Sequence, residues 1–278
     1  MKERIISDQE YSEFCAYLED ATGIVLGKSK HYLVGSRLNR LMEERQLASY
    51  TDLLTHLKKA ANAGLREQII DAMTTNETMW FRDVYPYEVL YETILPELAD
   101  IKDRPVKIWS AACSSGQEPY SISMVVQEFL QKHAGAFTRG VQITATDISA
   151  SMLNFSKRAR YDEAAMKRGI SEERRRKFFT QHDDLWEVVP EIRSRVTFKA
   201  LNLQESFASL GKFDLIFCRN VLIYFSSEFK TDILTRMGAV TNPNGYLYLG
   251  SSESPTRYTS IFKMVRAPGG VIYQYDAS

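Results

Sequence analysis

From about residue 105 onward, short apolar runs rich in β-branched residues alternate with segments of helical periodicity. This alternation limits the fold strongly, because it indicates a mostly parallel sheet with helices packed on both faces. The last two runs flank 268–270 (Pro-Gly-Gly) and predict an antiparallel hairpin, which makes the sheet mixed. We therefore predict an α/β fold with seven strands: Val106–Ala111, Val141–Asp147, 196–201, Phe213–Cys218, 246–250, 261–265 and 271–275.

Residues 1–73 show only helical patterns, which predicts a separate all-helical N-terminal domain. Ser7 or Asp8 can cap a first helix, and Gly23 and Gly27 end it. Three more helices are expected over about 30–45, 50–60 and 65–73. We assign residues 1–73 to this domain, 74–90 to a linker and 91–278 to the α/β domain.

Charge and cysteine content argue against several classes of protein. Lys+Arg and Asp+Glu are both 35, so the chain lacks the net positive charge typical of general nucleic-acid binders. The three cysteines form no C-x-x-C pair, which argues against a disulfide framework or a zinc ribbon. The N-terminus has no signal-peptide core, and no apolar run reaches the roughly 18 residues of a membrane span. We expect a cytoplasmic protein that does not insert into membranes.

An extra segment, 157–195, lies between the second and third expected strands and is longer than a crossover requires. Its first part, 157–177, holds nine Lys/Arg and four Asp/Glu, a net charge of +5. Residues 185–191 then alternate between apolar and acidic side chains, as expected for parts of a small exposed hairpin. The segment is either a partner-binding element or a solvated excursion.

The loop 110–118 follows the first strand, consists mainly of small residues and leads into a helix. In doubly wound folds an adenosine cofactor approaches the backbone at this loop. Only Gly116 is present, so the G-x-G-x-x-G pattern that binds a pyrophosphate is missing, and no Walker A lysine follows. A cofactor without phosphates, such as S-adenosylmethionine, fits better. Simple packing of small residues is the alternative.

Polar residues also stand at the carboxyl ends of later strands, where open α/β sheets bind ligands. Asp147 ends the second strand and can accept hydrogen bonds from ribose hydroxyls; the alternative is a cap on the next helix. Asn202 and Leu203 follow the third strand and could meet the adenine edge and face. Arg219 and Asn220 follow the fourth strand.

Two neighbouring segments complete this expected cleft. Tyr224 is close enough to the fourth strand to face the cleft, although an aromatic in an apolar run is normally core. The segment 74–83 is dense in polar side chains and carries two bulky aromatics. A linker folded over a cleft explains this mixture, with Asn76, Thr78 and Arg82 facing a ligand; a helix cap followed by an aromatic anchor is the alternative.

Other catalytic patterns are missing. The four histidines have no H-x-x-x-H spacing, so a zinc protease is not expected, and we predict no metal site. The segment 250–254 lacks the second glycine of a G-x-S-x-G nucleophile elbow. Cys218 has no nearby histidine in the sequence and reads as a small buried apolar residue.

Four segments, TNETMWFRD, SAACSSGQEPYS, ATDIS and FCRNVLIYF, occur in this order behind the helical domain. Together they resemble the chemotaxis receptor methyltransferases, the CheR family, over essentially the whole chain. The resemblance implies a class I (Rossmann-like) methyltransferase domain with a small inserted antiparallel β-subdomain. It also implies transfer of a methyl group from S-adenosylmethionine to glutamate side chains of bacterial chemoreceptors, giving glutamyl methyl esters and S-adenosylhomocysteine.

The resemblance also assigns individual residues. Arg82 and Tyr224 would be catalytic, with Tyr224 near the transferring methyl group. The residues expected to bind the cofactor are Asn76, Thr78, Arg82, Glu118, Asp147, Asn202, Leu203, Arg219 and Asn220. Because a free glutamate has a pKa near 4.3, the acceptor is ionised at neutral pH and needs no general base.

Partner binding is expected at two places. Arg37 and Arg40 share a face of the second helix, and the resemblance places that face on the acidic methylation region of the receptor's cytoplasmic helical bundle. A solvated helix face is the alternative. The insertion resembles a subdomain that binds a receptor C-terminal pentapeptide in some members. Its short turn at 181–184 has no glycine, which favours members that do not need the pentapeptide. We expect a monomer.

Two other functions stay open. A methyltransferase for another protein or a small molecule would share the cofactor site, but a small-molecule enzyme would not need the basic helical domain. A non-catalytic signalling module that binds S-adenosylmethionine need not keep both Arg82 and Tyr224.

Overall fold

A computed structural model describes residues 5–59 and 62–276 of the chain. The four helices predicted for the N-terminal domain are present, and their apolar faces enclose one core that includes the fully buried Phe14 and Leu38. Ser7 and Glu10 form a capping box at the first helix, and Gly23 ends it with a φ of 76°. The helices are α1 (Asp8–Thr22), α2 (His31–Glu44), α3 (Tyr50–Leu57) and α4 (Ala63–Met73).

The linker after α4 has no regular secondary structure through residue 79 and then forms turns up to residue 84. Phe81, Asp83 and Val84 all have positive φ values, which non-glycine residues adopt only where the surroundings hold them. A helical stretch follows as α5 (Tyr85–Val89), a π-helical turn (Leu90–Ile94) and α6 (Leu95–Leu98). The π-helical turn lies just before Pro96, which has no N–H to donate in a helical hydrogen bond.

The α/β domain begins with the first two predicted strands, whose ends coincide with the prediction. Its first elements are β1 (Val106–Ala111), α7 (Gln117–Lys132), β2 (Val141–Asp147) and α8 (Ala150–Arg158). β1 and β2 are parallel, with Val106 opposite Val141 and Ala111 opposite Thr146. Trp109 in β1 is fully buried, and its indole N–H donates to the Thr146 hydroxyl at 2.9 Å.

The insertion forms a second, three-stranded antiparallel sheet with the strand order β3-β5-β4. Its elements are β3 (Arg160–Asp162), α9 (Glu163–Met166), α10 (Glu172–Phe178), β4 (Phe179–His182), β5 (Leu185–Val188) and α11 (Pro190–Arg193). The prediction that 185–191 belongs to one exposed hairpin is wrong beyond Val188. Val188 is buried, and Pro190 begins a helical turn, a position where its missing N–H costs nothing.

Part of the positive charge of the insertion is paired within the protein. Arg174 makes a bidentate ion pair with Glu128 of α7, at 2.8 and 2.9 Å, and its guanidinium stacks on the Phe81 ring of the linker. Arg175 pairs with Glu163 in the same way, at 3.2 and 2.9 Å. Bidentate pairing fixes the geometry of both partners, so Arg174 anchors the insertion to α7, and Arg175 ties α10 to α9 within the insertion.

The remaining elements complete the main sheet. They are β6 (Val196–Ala200), a 3-10 turn (Ala208–Leu210), β7 (Phe213–Cys218), a 3-10 turn (Leu222–Tyr224), α12 (Ser227–Ala239), β8 (Thr241–Leu249), β9 (Phe262–Ala267) and β10 (Gly270–Tyr275). The seven-stranded order is β6-β2-β1-β7-β8-β10-β9. The β8–β10 and β10–β9 pairs are antiparallel, and the other pairs are parallel. Two apolar cores cover its faces. The predicted fold class is confirmed.

At the amino ends of the central strands, a buried carboxylate joins β1, β7 and β8. Asp214 of β7 accepts two hydrogen bonds from Arg104, at 2.6 and 2.9 Å, and one from the Lys107 backbone N–H at 2.9 Å. Asn242 of β8 donates a further one at 2.7 Å. The opposite, carboxyl ends of β6, β2, β1 and β7 are left to form a cleft.

Candidate active site

The cleft lies at the carboxyl ends of the parallel strands and is covered by the linker and by the loop after α1. All ten residues predicted to bind cofactor or act in catalysis line it: Asn76, Thr78, Arg82, Glu118, Asp147, Asn202, Leu203, Arg219, Asn220 and Tyr224. Of the two arginines predicted for receptor docking, Arg37 also lines this cleft, whereas Arg40 is exposed and paired with Glu44. Segments far apart in sequence therefore meet in one place, while the role of each residue stays a prediction.

The loop after β1 is wound tightly at the base of the cleft. Ala112, Ser114 and Gly116 have positive φ values of 57°, 49° and 90°. A side chain at Gly116 would meet Ser156 of α8 at 2.9 Å, so glycine is required for the close approach of loop and helix. The Ser114 hydroxyl donates to the Asn76 carbonyl at 2.9 Å, which ties the loop to the linker above it.

Asp147 is buried at the end of β2, and each of its carboxylate oxygens accepts one backbone N–H. Ser114 donates at 2.7 Å and Ser149 at 2.9 Å. Burial raises the pKa of Asp147, although these hydrogen bonds favour its ionised form. Ser149, not Asp147, caps α8, since its hydroxyl accepts from Met152. The unused lone pairs of Asp147 are free to accept hydrogen bonds from a ligand.

A chain of charges forms one wall of the cleft. Arg219 is buried and its guanidinium donates to Glu118 at 3.2 Å and to Asp83 at 2.6 Å. Glu118 also accepts from the Ser110 hydroxyl at 2.8 Å. Burial raises the pKa of Glu118, and Arg219 opposes that shift. Burial alone would lower the pKa of Arg219, but Glu118 and Asp83 outweigh it and raise that pKa.

The sequence analysis did not predict two residues next to the Glu118–Arg219 pair, Asp83 and Tyr87, neither of which lines the cleft. Asp83 ends the linker motif and binds Arg219, and the Arg82 carbonyl accepts from the same guanidinium at 2.8 Å. The Tyr87 hydroxyl is buried close to Ser121 and Arg219. Burial and the negative charge of Glu118 raise the pKa of Tyr87, so its phenol stays neutral. Nothing in a local sequence pattern points to Tyr87, because its neighbours Glu118 and Arg219 are distant in the chain.

The linker is held over the cleft by its aromatics and by α2. Trp80 is fully buried against Tyr161 and Phe179 of the insertion, with ring centroids 4.7 and 5.1 Å apart. Arg37 donates to the carbonyls of Met73 at 2.6 Å and Thr74 at 3.2 Å. The structure thus places Arg37 on the linker, on the cleft side of α2.

The loop after α1 forms the far rim, which the sequence analysis did not foresee. Ile24 makes an isolated antiparallel bridge with Phe225, and the Val25 N–H donates to the Tyr224 carbonyl at 2.9 Å. Asn202 donates from its amide to the Ala21 carbonyl at 2.8 Å, at the end of α1. From Gly23 and Gly27 we could predict only where the first helix ends. They did not predict that this loop contacts the distant Tyr224–Phe225 segment.

Among the described residues, no cluster of His, Cys, Asp or Glu has the arrangement of a metal site. No helix in 5–59 or 62–276 is long and apolar enough to cross a membrane.

Comparison with known proteins agrees with this architecture. The family model for the all-alpha domain of CheR methyltransferases matches residues 9–74. The family model for their S-adenosylmethionine-binding domain matches residues 76–271. Chemotaxis protein methyltransferase 1 of Vibrio cholerae is 54% identical over 97% of this chain and 98% of its own length. Chemotaxis protein methyltransferase 1 of Pseudomonas aeruginosa is 51% identical over 96% and 98%.

Among solved structures, magnesium protoporphyrin IX methyltransferase of Synechocystis aligns with a TM-score of 0.37 and 14% identity, covering 77% of this chain and 90% of that one. The two family models together span both domains and nearly the whole chain. The chain therefore belongs to the CheR methyltransferase family.

Proposed function

We propose that this protein methylates glutamate side chains of bacterial chemoreceptors, using S-adenosylmethionine and giving glutamyl methyl esters and S-adenosylhomocysteine. The observation that carries the proposal is the cleft itself, whose lining includes Asp147, the Glu118–Arg219 pair and Tyr224. Its relatives with the name chemotaxis protein methyltransferase match it over nearly their whole length. That the methyl acceptor is a glutamate side chain, and that it belongs to a chemoreceptor, are our inferences from this family.

The cleft suits a nucleoside cofactor without phosphates. Asp147 offers two carboxylate oxygens with free lone pairs, the arrangement that accepts paired ribose hydroxyls. Asn220 lines the cleft, and its side-chain oxygen is a buried acceptor that lacks a partner among the described residues. Buried acceptors are normally satisfied, so a donor on a bound molecule fits there. Glu118 places negative charge where an ammonium group would be held.

The remaining assignments concern how the cofactor is enclosed. Asn76, Thr78 and Arg82 form the linker side, and Leu203 provides an apolar surface for the adenine face. Asn202 uses its amide to hold α1 and accepts from the Gln204 N–H at 3.1 Å. Its contact with adenine therefore has to be made alongside these bonds. When bound, S-adenosylmethionine supplies a methyl group already activated by a positively charged sulfur.

The protein's own part in the reaction is alignment and exclusion of water. The acceptor carboxylate is ionised at neutral pH, so the cleft needs no general base, and none of the four histidines lines it. Positioning of two reactants can contribute about 7–11 kcal/mol to lowering a barrier. Arg82 and Tyr224 would steer the acceptor. Arg82 donates to the Glu77 carbonyl at 3.2 Å, which holds one of its terminal nitrogens on the linker.

Receptor docking is proposed for the outer face of α2, toward the acidic helical bundle of the receptor's cytoplasmic part. Arg40 lies on that face, and its pairing with Glu44 is an exposed i,i+4 contact that an acidic partner can replace at little cost. The β4–β5 turn of the insertion has two residues, Asp183 and Asp184. This turn is short and has no glycine, which favours members that do not need the pentapeptide, so we propose pentapeptide-independent action by a cytoplasmic monomer.

The test uses S-adenosylmethionine labelled in its methyl group and receptor cytoplasmic fragments as acceptors. We expect label on the receptor that mild base releases as methanol and that disappears when the methylated glutamates become alanine. Base-stable label would instead indicate another acceptor atom. Binding of S-adenosylhomocysteine without transfer to any receptor of the organism would favour a non-catalytic module.

A further inference from the structure

Glu253, after β8, binds the loop that carries the cleft residues Asn220 and Tyr224. One carboxylate oxygen accepts the backbone N–H groups of Asn220 and Gly250, both at 2.7 Å. The other accepts the N–H of Ile223 at 3.3 Å. Glu253 itself is not part of the cleft lining. The segment 250–254 matched no catalytic pattern in the sequence, yet it supplies this contact.

The bound loop has a conformation that needs support. Asn220, the second residue after β7, has a φ of 58°, in the left-handed region. Ile223 lies in the 3-10 turn Leu222–Tyr224 that presents Tyr224. Hydrogen bonds from backbone N–H groups to a carboxylate are among the stronger ones in proteins. Glu253 therefore fixes both the start and the middle of this loop.

Gly250 supports the same junction from the opposite side. A Cβ atom there would lie 2.7 Å from the Asn220 side-chain nitrogen, 2.7 Å from a Glu253 carboxylate oxygen and 2.9 Å from the Asn220 backbone nitrogen. Backbone atoms cannot move aside as a flexible side chain can. The loop can approach β8 only because residue 250 is glycine, and this approach brings the N–H groups within reach of Glu253.

We propose that Glu253 is a positioning residue that sets the Asn220–Tyr224 loop, and through it the orientation of the acceptor carboxylate. The expected effect on kcat rests on the proposed function, whereas the expected effect on the conformation of the loop does not. Glu253 touches neither cofactor nor acceptor.

The test is Glu253→Gln, which keeps the size of the side chain but puts an NH2 donor against backbone N–H groups. We expect kcat for receptor methylation to fall about 10- to 100-fold, the usual range for misalignment by a fraction of an ångström to one ångström. The Kd for S-adenosylhomocysteine should rise by a smaller factor than kcat falls, because Asp147 and Glu118 are held by other elements and only Asn220 moves with the loop. Hydrogen exchange at Asn220 and Ile223 should become faster.

Two further variants make the result specific. Glu228→Gln removes an exposed carboxylate in the first turn of α12 and should leave all three readouts unchanged. Gly250→Ala crowds both Asn220 and the Glu253 carboxylate without removing that carboxylate, and it should reproduce the kcat loss and the faster exchange. Thermal unfolding of each variant measures the folded fraction at the assay temperature.

The proposal is overturned if Glu253→Gln leaves exchange at Asn220 and Ile223 unchanged, or if kcat falls only in proportion to the unfolded fraction. If the wild-type protein does not methylate receptors, the proposed function fails. The exchange measurement then still decides whether Glu253 holds the loop.

Discussion

Tyr224 contributes to the protein through two separate groups. Its backbone carbonyl accepts from Val25, whereas its side chain belongs to the cleft. Tyr224→Phe therefore removes the hydroxyl without releasing the loop. We expect kcat to fall about 10- to 100-fold, the effect of one lost hydrogen bond to a charged group, with S-adenosylhomocysteine affinity nearly unchanged. Methyl transfer and calorimetry measure the two quantities.

Tyr258→Phe is the matched control, since Tyr258 lies in the same domain but outside the cleft. It should leave both kcat and affinity unchanged. A large loss of cofactor affinity in Tyr224→Phe would refute the role given to the hydroxyl.

Asp147 is expected to act in binding rather than in turnover. Asp147→Asn loses the charge and one acceptor oxygen, and we expect the Kd for S-adenosylhomocysteine to rise about 10- to 100-fold. The same carboxylate gives affinity a pH dependence. Because burial raises the pKa of Asp147, protonation begins at higher pH than for an ordinary aspartate.

The sign of this effect differs between folding and binding. Ionising a buried carboxyl with a raised pKa lowers folding stability as pH rises through that pKa. Binding needs the carboxylate, so affinity should fall as pH decreases through the same range. Calorimetry from about pH 7 down to 5 measures this fall in affinity. In Asp147→Asn, affinity should depend less steeply on pH. The pH dependence that remains in the variant is expected from Glu118, whose pKa is also raised by burial. If affinity changed equally steeply with pH in the variant, Asp147 would not be the source of the pH dependence.

At the scale of elements, Asp214 determines how firmly three strands are joined. Asp214→Ala leaves the Lys107 N–H and the Asn242 amide without their acceptor and frees Arg104. We expect the free energy of unfolding to fall by about 2–4 kcal/mol, measured by urea denaturation. Arg104 is partly exposed and can be rehydrated, which keeps the loss below that of a fully buried pair.

Asp232→Asn is the comparison, because Asp232 makes an exposed i,i+4 pair with Arg236 on α12. It should cost no more than about 0.5 kcal/mol. Equal losses in the two variants would mean that the Asp214 contacts do not hold the strands together.

The elements show how far sequence patterns reach. Val106–Ala111 and Phe213–Cys218 could be predicted to the residue, because buried parallel strands read as short apolar runs bounded by polar residues. β8 begins at Thr241, five residues before its predicted start. Its pairing with β7 shifts register between Phe213 and Leu215. The turn-forming residues 242–245 therefore lie inside a strand, as an irregularity that only the neighbouring strand fixes.

Sequence patterns also predict only some of the residues that form or support the cleft. Residues at strand ends, such as Asp147 and Arg219, could be predicted because topology brings the carboxyl ends of parallel strands together. Asp83, Tyr87 and Glu253 could not, since each interacts with residues that become its neighbours only in the folded chain. The helical patterns predicted the N-terminal domain but carried no information on where it packs.

At the scale of the whole molecule, the N-terminal domain forms part of the cleft wall, so its own integrity should affect cofactor binding. Gly23 ends α1 with a φ of 76°, and a side chain there would overlap the Phe229 ring of α12. Gly23→Ala should therefore push α1 away from α12 and break the Ile24–Phe225 bridge. We expect weaker binding of S-adenosylhomocysteine and lower kcat, measured by calorimetry and methyl transfer.

Gly64→Ala tests whether this effect is specific to the contact between the domains. Gly64 lies in α4, where an added Cβ meets nothing within 4 Å and alanine favours the helix by about 0.5–1 kcal/mol. This variant should be neutral or slightly more stable, with unchanged cofactor affinity. If Gly23→Ala loses stability but binds S-adenosylhomocysteine as tightly as the wild type, the helical domain acts only in docking. If affinity falls, the two domains form one binding site, and a receptor that contacts α2 acts directly on the wall of the cofactor cleft.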